Sequence, residues 1–191
     1  MKLDRKTIEN DLEYLRQISS EVDFEKDNYK EYIESLKEYC ESHACYALAP
    51  VQIGIPKRII YIKNSNQDMS NNSKEGYNES IIYINPKIIS SFGHTRFLEA
   101  CLSCVIRENN ELIRLTGVID RPYSIEIEYY DINKKKHKKT IKGFEATVFS
   151  HEYDHLNGIL HMDKAKEIYK MTSDEVIEYR KNNPYEIISK E

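Results

Sequence analysis

His151-Glu152-Tyr153-Asp154-His155 is the stretch around which the rest of this chain can be arranged. On a helix, residues four apart share a face, so both imidazoles can bind one metal ion. Glu152 follows the first histidine and can reach a water on that ion as a general base. The flanks favour a helix: Gly143 precedes it, Glu145 and Ala146 fall in its opening turns, and Asn157-Gly158 reads as its stop. Phe144, Val148, Tyr153 and Leu156 supply apolar contacts around the metal face. Two of the chain's six histidines stand at this spacing with the glutamate in place, which weighs against a chance surface helix.

Two imidazoles leave the metal short, because a catalytic site usually has three protein ligands and a water. The candidates are His161 downstream and Cys101 or Cys104 upstream. The run from His151 through Gly158 to His161 fits the metzincin protease pattern, in which a glycine turn returns a third histidine to the metal. That pattern also expects a methionine turn further on. Met162 is too close for it, and Met171 falls in a short helical tail. A structural zinc site of Cys40, Cys45, Cys101 and Cys104 is a further arrangement, with a loosely spaced first half and a long gap between halves.

The chain has 191 residues, enough for one domain with a real core. No apolar run approaches the ~20 residues needed to cross a bilayer. The charged start, Met1 to Asn10, has no signal-peptide core, so a cytoplasmic location is expected. Four cysteines in such a chain read as thiols or metal ligands, not as a disulfide framework. The net charge of −4 offers no global field for nucleic acid. The basic cluster Lys134 to Lys139 reads as a solvated hairpin tip.

In chain order, the apolar spacing predicts helices over Thr7 to Ile18 and from a cap at Asp27 to about His43. Tyr29, Ile33, Leu36 and Cys40 would form the buried face of the second. Strands are expected over Arg58 to Ile62, over Ile81 to Ile84 (stopping before Asn85-Pro86), and within Ile88 to Phe97 with a turn at Gly93. Asn64 to Ser80 reads as a loop, and Arg107 to Thr116 has no clear reading. Ser124 to Tyr130 alternates apolar and acidic residues as a half-exposed strand, which turns back into another through Ile141. Ile159 to Met162 looks extended. Thr172 and Glu175 have capping-box spacing for a last helix to about Asn182. Strands followed by a late helix suggest an α+β domain, without an internal boundary over 1–191.

Three segments, in order, resemble the three motifs of peptide deformylases. Cys45-Tyr46-Ala47-Leu48-Ala49-Pro50-Val51-Gln52-Ile53-Gly54 is similar to the family's G-x-G-L-A-A-P-Q-I-G. Glu99-Ala100-Cys101-Leu102-Ser103 is similar to E-G-C-L-S, and Ser150 to Gly158 to Q-H-E-x-D-H-L-x-G. Arg121 and Leu15-Arg16 also have a family look, and the likeness extends over roughly residues 10 to 165. The resemblance implies an α+β fold of antiparallel sheets around the H-E-x-x-H helix, with N-terminal helices and a C-terminal helix. It implies Cys101, His151 and His155 as metal ligands, Glu152 as acid/base, and Gln52 with the Leu102 backbone N–H as oxyanion donors. Ferrous iron is the metal it implies, with zinc, nickel or cobalt able to occupy the same donors. The implied reaction removes formyl from the N-terminal methionine of new proteins, near the ribosome and without direct contact to nucleic acid or membrane. Phe97, Phe144 and Val148 are the expected walls of the methionine pocket.

The chain departs from the motifs at Cys45, Ala47, Pro50-Val51, Ala100 and Ser150. A methyl at 47 or 100 would narrow the peptide track or forbid a positive φ there. That departure motivates a second expectation, a deformylase-like protein that binds metal and a peptide end without turnover.

Overall fold

In the computed structural model, residues 4–43, 45–63 and 80–191 are described. Two antiparallel sheets and a central helix carry the architecture, and the continuous apolar run Ile59-Ile60-Tyr61-Ile62 explains its layering. These four residues form β2 (Ile59–Ile62) and all are buried. Their side chains alternate, so Ile59 and Tyr61 join one core while Ile60 and Ile62 join another on the opposite face.

The first core is closed by α2 (Tyr29–Ser42), through Tyr29, Ile33, Leu36, Tyr39 and Cys40. The second is closed by α3 (Phe144–Leu156), through Ala146, Phe149 and Leu156. Fully burying a side chain such as Phe149 or Ile60 is worth ~1.5–3 kcal/mol. The first sheet runs β1 (Ala47–Leu48), β2, β3 (Ile81–Phe92), β7 (Ser124–Tyr130), β8 (Lys136–Lys142). The second runs β10 (Glu186–Ser189), β4 (His94–Glu99), β6 (Glu111–Arg121), β5 (Val105–Glu108), with β9 (Tyr169–Met171) also on β6. The helix α4 (Ser173–Asn182) follows β9, opened by the Thr172–Glu175 capping box. This is the expected α+β fold with helices at both ends.

Three expectations are corrected, and one stretch left unread gains a structure. The first helix shrinks to α1 (Leu12–Leu15), and Ile18 is exposed. Residues beyond it instead satisfy the end of α3, with Ser19 N–H donating to the Leu156 carbonyl at 2.9 Å and Arg16 Nη1 to Gly158 O at 3.3 Å. The strand expected to stop at Ile84 runs on through Asn85-Pro86 as β3. The proline cannot donate to a ladder, so the register shifts between Ile84 and Lys87 while the partner changes from β2 to β7. The Asn85 amide bonds both polar backbone groups of Val22, at 2.7 and 3.0 Å. The unread stretch 107–116 belongs to a β5–β6 hairpin turning on Asn109 and Asn110, both at positive φ, as a type I′ turn requires. Of Ile159 to Met162, expected extended, His161 and Met162 instead enter the 3-10 turn His161–Asp163. The expected loop Asn64 to Ser80 lies outside the described residues except at Ser80. The lysines of β8 answer the acidic face of β7, Lys136 with Glu128 at 2.7 Å and Lys138 with Glu126 at 3.1 Å.

Candidate metal centre

With its Phe149 face spent on the first sheet, α3 turns His151, Glu152 and His155 toward the segment that follows β4. Cys101 sits there, three per cent exposed. The Cys101 sulfur and one nitrogen from each of His151 and His155 all lie within 4.8 Å of one another. Cys101 Sγ lies 3.2 Å from His155 Nε2.

Glu99 orients the first histidine. Its Oε2 lies 2.8 Å from His151 Nδ1, and a carboxylate can only accept, so Nδ1 donates and Nε2 is left for a ligand. Burial raises the Glu99 carboxyl, but Arg121 and then His151 outweigh it and hold it well below the ordinary range. Arg121 grips both Glu99 oxygens at 2.7 and 2.8 Å and extends Nη1 to Asp154 on α3, which also accepts from Lys164 Nζ at 2.8 Å. The guanidinium is two per cent exposed, and removing it would leave buried Glu99 with His151 alone and Asp154 with Lys164 alone, a loss of up to ~3–5 kcal/mol. Sequence reasoning had placed Glu99 and Arg121 in family-like segments and given neither this role. The available signal was an acid and a base, each beside apolar neighbours in strand-like runs.

The 3-10 turn Pro50–Ile53 presents Gln52 to the same sulfur. The Ala49 N–H donates to Gln52 Oε1 at 3.0 Å, which fixes the amide's orientation. The Gln52 NH2 therefore faces the site, 3.5 Å from Cys101 Sγ and 3.2 Å from Ser103 Oγ. Cys104 is fully buried, its sulfur within 4.8 Å of that of Cys101. This neighbouring thiol is the leading cause that holds Cys101 low, while Cys101 and burial push Cys104 up. Burial raises the Glu152 carboxyl despite the two neighbouring imidazoles, and Glu152 Oε2 has no hydrogen-bond partner. A thiolate, two imidazoles and a free carboxylate oxygen at one point fit a divalent transition metal with an open position.

His161 lies near this centre without joining both motif histidines. Its ring stacks 5.6 Å from that of His151, and it groups with Cys101 and Cys104. Its Nε2 donates to the Leu115 carbonyl at 3.0 Å. Cys40 and Cys45 stand apart, and no group of metal-holding donors among the described residues includes them.

The centre floors a cleft of about 540 Å³. Phe97, Phe144 and Val148 line it, as do Gln52, Leu102, Ala47 and Ala100. Neither alanine, nor Cys45, is among the described non-glycine residues at positive φ, so these departures from the motifs impose no left-handed backbone.

The sequence profile of polypeptide deformylases matches residues 5–171. A peptide deformylase of Finegoldia magna is 33% identical over 177 residues, covering 92% of this chain and 96% of that protein. A crystal structure of a probable peptide deformylase from a Synechococcus phage superposes with a TM-score of 0.69 at 31% identity, over 85% of this chain and 99% of that one. The Plasmodium falciparum peptide deformylase gives a TM-score of 0.67 at 32% identity, over 85% and 86%. On its fold, its three motifs and these relatives, the chain belongs, as an enzyme, to the polypeptide deformylase family.

Proposed function

We propose that this chain hydrolyses the formamide at the N-terminal methionine of new proteins, in the cytoplasm, using one divalent ion held by Cys101, His151 and His155. The observation that carries this reading is the convergence of those three donors beside Glu152 Oε2, which has no partner, at the floor of an apolar-walled cleft. The ion, ferrous iron by family resemblance, would when bound act as a Lewis acid on water and on the formyl carbonyl.

Glu152 takes the proton of the attacking water. Its raised pKa brings it closer to neutrality, where a carboxyl can both accept and return a proton. The Gln52 NH2 and the Leu102 backbone N–H donate to the formyl oxygen as negative charge develops on it. Glu152 then returns its proton to the departing amine. One water is consumed, and formate and a free N-terminus leave. Phe97, Phe144 and Val148 enclose the methionine side chain, and Arg121, through Glu99, keeps His151 presenting Nε2.

Formate release from formyl-Met-Ala-Ser by anaerobically purified protein, with bound metal counted, tests the reading. Glu152→Gln should keep the metal and lose ~10²–10⁴-fold in turnover, because the amide cannot accept the water's proton. Turnover within about tenfold of wild type would remove Glu152 from the mechanism.

A further inference from the structure

The helix α4 lies just beyond the residues that match the family, yet it forms one wall of the cleft. Ser173, Val176, Ile177 and Arg180 face the cleft at the i, i+3, i+4, i+7 spacing of one helix face. The middle of that wall is apolar and each end carries a guanidinium. At the start of α4, Arg114 of β6 donates Nε to Ser173 Oγ at 3.0 Å. At its end, Arg180 donates Nε and Nη2 to the Leu98 carbonyl at 3.1 and 2.9 Å and lies 4.7 Å from the Phe97 ring centroid.

Both arginines line the cleft, and among the described residues neither has a carboxylate partner. Arg121 holds two carboxylates, Arg96 pairs with Asp120 and Arg16 with Asp163. Glu99, whose charge acts on Arg180, is already committed to Arg121 and His151. Burial lowers the Arg180 pKa, and the charge of Arg114 adds to that against the pull of Glu99. Each guanidinium keeps N–H donors beyond those it uses.

We propose that Arg114 and Arg180 form a carboxylate-binding subsite, which favours formyl-methionyl peptides bearing a negative charge shortly after the methionine. The proposal rests on the deformylase reading and deepens it by naming a substrate class. The carboxylate can be an Asp or Glu side chain, or the α-carboxylate of a short peptide. Two unpaired arginines attract either by charge-assisted, bidentate hydrogen bonds.

The test compares kcat/KM for formyl-Met-Ala-Ser amide, its free acid, formyl-Met-Asp-Ser amide, formyl-Met-Ala-Asp amide and formyl-Met-Ala-Lys amide. Calorimetric titration with the deformylated amides Met-Ala-Asp and Met-Ala-Ser accompanies it. Acidic peptides should exceed the neutral amide about three- to tenfold at low salt, an advantage that fades near ~0.5 M salt. A gain for the free acid alone assigns the subsite to the α-carboxylate, and a gain for the aspartyl amides assigns it to side chains. Arg114→Glu should invert the preference toward the lysyl peptide. Arg180→Lys, which keeps the charge and part of the packing on Phe97, should shrink the ratio without inverting it. If the neutral amide turns over but acidic and neutral peptides agree within about twofold in rate and in affinity, the subsite is overturned and the deformylase reading stands. If no formyl peptide turns over, that reading fails, and the calorimetric ratio alone decides for or against the subsite.

Discussion

Gly158, the stop of α3, allows a prediction whose size follows from the structure. It sits at φ +69, and a Cβ built there would lie 2.1 Å from the Arg16 carbonyl oxygen and 2.7 Å from its carbon. Both obstacles are backbone, so Gly158→Ala must move the chain at Arg16 or the end of α3. The left-handed backbone costs an alanine ~1–2 kcal/mol. Overpacking against an unyielding neighbour adds ~1–3 kcal/mol, for a total of ~2–5 kcal/mol. Gly54 supplies the control. It is at φ +90, but its added Cβ would meet only the flexible Lys6 side chain at 3.7 Å, so Gly54→Ala should cost the first contribution alone. At ~2–4 °C per kcal/mol for a chain of this size, Gly158→Ala should melt about 4–20 °C below wild type, and the control about 2–8 °C below. Urea and thermal unfolding followed by circular dichroism measure both. If the two variants agree within ~0.5 kcal/mol, the close approach of Arg16 contributes nothing and the docking of α1 on α3 has been misread.

Cys101→Ala should lose most of the metal and all hydrolysis, while His161→Ala keeps both. In cobalt-substituted protein a sulfur-to-metal band in the near ultraviolet should persist in His161→Ala and vanish in Cys101→Ala, and the opposite pattern would restore the protease-like ligand set. Asp163 should contribute to acid sensitivity. Its bond to Arg16, opposed by burial, holds its carboxyl below the ordinary 3.8, so the stabilisation is present above that value and lost as pH falls below it. Because both side chains are over a third exposed, Asp163→Asn should cost only ~0.5–1 kcal/mol at pH 7, and the gap to wild type should close as pH falls below 3.8 in urea melts. A gap independent of pH would assign the loss to packing.

What the sequence disclosed depended on how local the cause was. The H-E-x-x-H helix, the Thr172 capping box and the Glu/Ile alternation of β7 are set by neighbours within a few residues, and each stands as expected. The Asn109-Asn110 turn was equally local, but two asparagines without glycine gave a weaker signal than Asn-Gly would have. The shortened α1 was not local at all, because the ends of α3 take the donors of residues 16–19 in preference to a longer helix. Likewise Pro86 remains in a strand because that position is where β3 changes partners. For the site, residue types and spacing proposed the two histidines and Glu152, and the resemblance to deformylases picked out Cys101 and Gln52. The orientation of Gln52 by Ala49 is local but needs the 3-10 turn to be known, whereas the Arg121 clasp on Glu99 and the arginines flanking α4 arise between segments far apart in the chain, which no single-window pattern can carry.

The wide separation of the site's parts has a consequence for synthesis. Cys101 and His155 are 54 residues apart. At ~5–20 residues per second of translation, the cysteine emerges roughly 3–10 s before the histidine. The β4–β6 pairing that brings Arg121 to Glu99 lies wholly within the earlier segment, so every residue of that clasp is available before α3 emerges. Until α3 emerges, the thiol has neither imidazole beside it. Assembly of the centre is therefore a late event in the life of the nascent chain, and capture of an ion by the proposed ligands would report that α3 has docked.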